Sequence, residues 1–141
     1  MSNLLLSEVA ARPLVLLAGG VPEGAAALLG EAGCHVRSAP SAAALQRLAG
    51  GTPVPQLILL GDTVADEPGL SLLSRLQDDA ATRAIPVLFV AGGGGADEEL
   101  ALALGAADCL SLPLRPLVLL ARVQAQLRLQ RLGRLAGEVA T

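Results

Sequence analysis

The 141-residue chain holds one aromatic residue, Phe89, and neither tryptophan nor tyrosine. Its core must therefore be built from Leu, Val, Ile and Ala, within a composition that is 52% hydrophobic. Rings to stack a flavin are absent as well. Lysine is missing altogether, since all ten basic residues are arginines scattered along the chain, and this excludes a Walker-type phosphate loop. A net charge of −3 and a pI near 5.0 argue against a basic groove for nucleic acid. His35 is the only histidine, and the two cysteines, Cys34 and Cys109, have no metal-ligand spacing. Both cysteines read as core or edge-strand residues. No metal and no cofactor is expected. The longest stretch without charge, Leu48 to Gly61, is 14 residues and contains two prolines, whereas a membrane span needs roughly 20 apolar residues. The opening MSNLLLSEVAARP has no basic segment before its short apolar run, so the chain reads as cytoplasmic.

What is present is a repeating pattern. Five short runs rich in Leu, Val and Ile alternate with Ala/Leu segments of helical length, as in a parallel sheet covered on both faces. The predicted strands are Pro13–Ala18, Cys34–Ser38, Gln56–Gly61, Ile85–Ala91 and Ala107–Ser111. The predicted helices are Pro22–Ala32, Ser41–Ala49, Pro68–Gln77, Asp97–Leu104 and Arg115–Leu135. Ser41 can cap the second helix, and Gly33, Gly50 and Gly105 stand where helices should stop. The run Gly92–Gly95 reads as a loop. The fold class is α/β: a flavodoxin-like (βα)5 doubly wound parallel sheet, strand order 2-1-3-4-5, with an extended last helix. One domain is expected over residues 13–135, with a tail at 1–12 and a tail or the start of a linker at 136–141. In that strand order Cys34 and Cys109 lie on opposite edges, out of disulfide reach.

The segments PQLILLGD from Pro55, RAIPVLFVA from Arg83 and LGAADCLSLPL from Leu104 resemble bacterial response-regulator receiver (CheY-like) domains, and the resemblance covers nearly the whole chain. Receivers carry paired acids after the first strand, an aspartate ending the third, a Ser/Thr ending the fourth and a lysine before the proline that follows the fifth. The matching positions here are Ala18 and Gly19, Gly61, Ala91 and Leu112, with the proline kept as Pro113. Gly61 offers no carboxylate to attack a phosphodonor. Ala18 and Gly19 offer no side-chain oxygens for Mg²⁺. Ala91 and Leu112 supply neither hydroxyl nor cation for phosphoryl oxygens. The aromatic switch position of the fifth strand matches Cys109. The resemblance thus implies a degenerate pseudo-receiver, and it implies that the Leu112–Pro113 bond is cis.

Three features invite sharper readings. Asp62 follows the expected phosphoacceptor by one residue; it is either a displaced acceptor or a turn residue bonded to its own backbone. The acids Asp66, Glu67, Asp78, Asp79, Asp97, Glu98 and Glu99 read as solvated loop and first-turn residues. Gly19-Gly20 before a helix lacks the spacing of a dinucleotide loop, although an anion at that helix start is conceivable through backbone N–H groups.

The functional expectation is a signalling and protein-interaction module of a two-component-type system that needs no phosphate and is not an enzyme. The alternatives are a small-ligand or anion binder using a vacated pocket, and a receiver phosphorylated at Asp62. The resemblance implies a neighbouring or fused kinase, diguanylate-cyclase or DNA-binding output module. The last helix should make the contact. Leu120, Val123 and Leu127 fall on one side to cover the sheet, while Val118, Ala121, Ala125, Leu129, Leu132 and Ala136 line the other. That second stripe suits a protein partner or a homodimer. Neither nucleic acid nor membrane is expected as a direct partner.

Overall fold

The computed structural model describes residues 12–92 and 95–140; the expected tail at 1–12 lies outside them except for Arg12. The elements are β1 (Leu14–Ala18), α1 (Glu23–Glu31), β2 (His35–Ala39), α2 (Ala42–Ala49), β3 (Leu57–Gly61), the two-residue strands β4 (Thr63–Val64) and β5 (Glu67–Pro68), α3 (Gly69–Asp78), β6 (Val87–Ala91), α4 (Gly95–Ala103), β7 (Asp108–Ser111) and α5 (Pro116–Ala140). The main sheet is parallel with order β2-β1-β3-β6-β7, the doubly wound order expected from the sequence.

Strand side chains alternate between two apolar layers because successive residues point to opposite faces. Leu14, Leu16, Ile58, Leu60, Val87 and Phe89 face one layer, closed by Leu45 of α2, Leu72, Leu73 and Leu76 of α3, and Ala101 of α4. Val15, Leu17, Leu57, Leu59, Leu88 and Val90 face the other, closed by Ala25 and Leu29 of α1 and Leu119 and Val123 of α5. Three helices therefore cover one face and two the other. The three central strands are buried along their whole length, which explains why they read as unbroken apolar runs.

Local chemistry sets the ends. The Ser41 hydroxyl accepts the N–H of Ala44 at 3.1 Å and caps α2 as expected. Pro116 opens α5, where a missing N–H costs nothing. Thr82, the one buried polar residue among those described, donates its hydroxyl to the Leu76 carbonyl at 2.7 Å. Cys34 and Cys109 are both free thiols, at opposite edges of the sheet.

The structure departs from the sequence reading in three places. The loop after β3 contains the hairpin β4–β5, with Ala65 at φ 53 in its turn. Helix α4 starts at Gly95, inside the run read as loop. Helix α5 continues past Leu135 to Ala140, because after Pro116 the chain has no further proline to stop it.

Candidate functional site

The C-terminal ends of the strands gather most of the positions singled out in the sequence. Ala18 ends β1, Gly61 ends β3 opposite Val90, and Ala91 ends β6 opposite Ser111. All three are buried. Leu112 donates its N–H to the Ala91 carbonyl at 3.0 Å, and the Leu112–Pro113 bond is cis, as expected. Cys109 stands apart, lower in β7 and opposite Phe89. Its thiol is pushed up to about 11, first by burial and then by the charges of Glu98 and Asp108, so at neutral pH it is a half-buried, protonated group.

Glycine decides the shape of this end of the sheet. A Cβ on Gly61 would lie 2.6 Å from the backbone nitrogen of Gly20, closer than real Cβ atoms come. Gly19, at φ +84, would place its Cβ 2.5 Å from the Thr63 carbonyl oxygen. A side chain on Gly69 would run into the Gly61 carbonyl, and one on Gly92 into the Asp62 carboxylate. The loops after β1 and β3 thus meet main chain to main chain, and the space an acceptor side chain would need at position 61 is taken by the Gly19-Gly20 backbone. An emptied pocket at this position was an expectation; the backbone fills it.

Asp62 is committed as well. One carboxylate oxygen, Oδ2, accepts the N–H of Gly92, thirty residues away. The other, Oδ1, is buried and has no hydrogen-bond partner among the described residues. Its carbonyl accepts the Gly69 N–H at 2.6 Å and closes the hairpin loop. The side chain therefore ties the end of β3 to the start of the β6–α4 loop, and the expectation that it bonds its own local backbone is corrected. Gly20, Gly69 and Gly92 escaped the sequence reading as members of this site. Gly20 and Gly92 carried only the signal of glycine in loops that follow strands, and Gly69 stood inside a predicted helix.

An open cavity of about 430 Å³ lies to one side, between the ends of β1 and β2, and a second of about 310 Å³ is lined by Leu112, Pro113, Ser111 and Arg115. Ser38 and Thr63 give the first cavity its only side-chain hydroxyls, and no charged residue lines it. It offers no carboxylate for a divalent cation and no cation for a phosphoryl group. Two of the acids singled out are engaged elsewhere: Glu67 pairs with Arg75, and Asp79 accepts the N–H of Ala81 at 2.9 Å.

No protein-family model matches the chain, and no curated protein matches it at a significant level. Solved structures do match. A protein assigned as a response regulator from Chloroflexus aurantiacus J-10-fl aligns with a TM-score of 0.73 and 24% identity, over 83% of this chain and 98% of its own. NtrX from Brucella abortus aligns at 0.77 and 21% identity, over 92% of this chain but 29% of the NtrX chain. The receiver domain of a signal transduction histidine kinase from Syntrophus aciditrophicus aligns at 0.72 and 22%, over 82% and 90%. At such identities the likeness establishes the fold. The chain has the five-stranded α/β fold of CheY-like receiver domains.

Proposed function

We propose that this chain is a phosphorylation-independent signalling module, a pseudo-receiver that acts by docking to another protein and catalyses no reaction. One observation carries the reading: the backbone of Gly20 occupies the space that an acceptor side chain at position 61 would need. The positions Ala18, Gly19, Ala91 and Leu112 add no carboxylate, hydroxyl or cation around it. Asp62 is a poor substitute, because one carboxylate oxygen is held by the Gly92 N–H and the other is buried. In-line attack on a phosphodonor needs an accessible oxygen. Binding of a small ligand finds less support, since the cavity beside the site has few polar groups to orient one.

The docking surface in this reading is the outer stripe of α5: Val118, Ala121, Ala125, Leu129 and Leu132, all exposed. Ala136 belongs to the same line of the sequence, though its side chain lies outside the described ones. The short share of NtrX that the chain covers supports a role beside an output module, fused or separate. A cytoplasmic place fits the fold, and no described helix is long and apolar enough to cross a membrane.

Treatment of the chain with a small acyl phosphate and Mg²⁺ should leave its intact mass unchanged. A gain of one phosphoryl group that disappears in Asp62→Ala would overturn the proposal.

A further inference from the structure

Helix α5 presents two opposite faces. Leu119 and Val123 are buried, and Leu120 and Leu127 are packed against the same layer. On the far side, Leu129 is 61% and Leu132 55% exposed, in line with Val118, Ala121 and Ala125. At about 100° per residue, Arg115 and Arg122 border this stripe on one side and Arg128 on the other. From Arg115 to Arg134 the chain holds five arginines and no acid. Arg122 pairs with Asp108 at 3.0 Å. Among the described residues, Arg115 and Arg128 pair with no carboxylate, and both are exposed.

We infer that the stripe receives an acidic amphipathic helix from another protein, one whose own apolar line is flanked by Asp or Glu. This rests on the docking reading above and narrows it to one class of partner. An arginine fork matches a carboxylate in shape as well as charge, and charges that flank a helical seam select the partner. A second copy of α5 is the wrong partner, because in either direction its borders bring arginine against arginine with no acid between. A bilayer surface is a poor fit too. The outer face, with Leu117 exposed at its border, carries two small residues, Ala121 and Ala125, and no aromatic anchor, whereas interfacial helices carry Trp or Phe beside Leu on the buried face. Two alanines let a second helix axis come close.

Three synthetic peptides test this, sharing one Leu/Ala helical stripe and differing only at the flanking positions, which are Glu, Gln or Lys. Calorimetry with the full chain should find the Glu peptide bound roughly tenfold more tightly than the Gln peptide, with no binding of the Lys peptide. The gap should close at high salt, as it does for exposed charges beyond a Debye length of roughly 3 Å at 1 M. Arg115→Gln with Arg128→Gln should erase the preference, and Leu129→Asp should abolish binding, each with an unchanged melting temperature. Equal binding of all three peptides would keep the docking stripe and overturn the acidic partner. So would self-association by light scattering, or binding to phosphatidylglycerol vesicles, that Leu129→Asp abolishes. Failure of every peptide to bind overturns the inference outright. The phosphodonor assay depends on none of these outcomes, so it separately decides the reading on which the inference rests.

Discussion

Glycine residues in this chain do two opposite jobs, and substitution separates them. Gly61 allows the main chain of one loop to rest on the end of a central strand, with a Cβ position 2.6 Å from the Gly20 nitrogen. Gly30, inside α1, has nothing within 4 Å of its own Cβ position. Gly61→Ala should lower stability by about 1–3 kcal/mol, as overpacking in a closed site does. Gly30→Ala should raise it by about 0.5–1 kcal/mol through helix propensity. Urea unfolding monitored by far-ultraviolet circular dichroism would check both. Opposite signs are expected, and a neutral Gly61→Ala would mean that the two loops are free to part.

Among the elements, those buried on both faces were the legible ones. The observed β1, β3 and β6 begin within two residues of the predicted strands and end where those end, because a strand covered on both sides leaves a contiguous run of Leu, Val and Ile. Ser41 was legible as a cap for an equally local reason. Ser41→Ala removes the only side-chain acceptor for the Ala44 N–H and should cost about 1 kcal/mol, read as a lower melting temperature with unchanged far-ultraviolet signal. The hairpin β4–β5 was not legible: two-residue strands carry no periodicity, and their pairing closes through the Gly69 N–H on the Asp62 carbonyl. The site was half legible. Order and spacing placed Ala18, Gly61, Ala91 and Leu112 at one end of the sheet. That this end is closed depends on approaches between glycines far apart in the chain, and on Asp62 reaching Gly92, which only tertiary structure creates.

Over the whole molecule, charge is segregated along the sequence. Nine of the 13 acids lie between Asp62 and Asp108, alongside two arginines, while Arg115 to Arg134 is purely basic. The basic run coincides with α5, and surface charge of one sign steers association more than it stabilises the fold. Cys109 has its thiol raised from 9.0 to about 11, by burial first and then by the charges of Glu98 and Asp108. A folded-state value above the unfolded one means that the protonated thiol favours folding below pH 9, and that this advantage is lost as pH rises through 11. Melting temperature should accordingly fall between pH 9 and 11, and the fall should be smaller in Cys109→Ala; a parallel fall in both would assign it to other groups. At pH 8 the raised value leaves less thiolate than in the unfolded chain, so alkylation of Cys109 should be slow until denaturant is added.

With Phe89 as its lone ring and neither Trp nor Tyr, the molecule is nearly transparent at 280 nm and silent in tryptophan emission. Any light collected there from a mixture comes from something else. Leu132→Trp would make the chain's only emitter, and its shift to shorter wavelength on mixing with a partner free of Trp and Tyr would locate that partner on the outer stripe of α5 without a label.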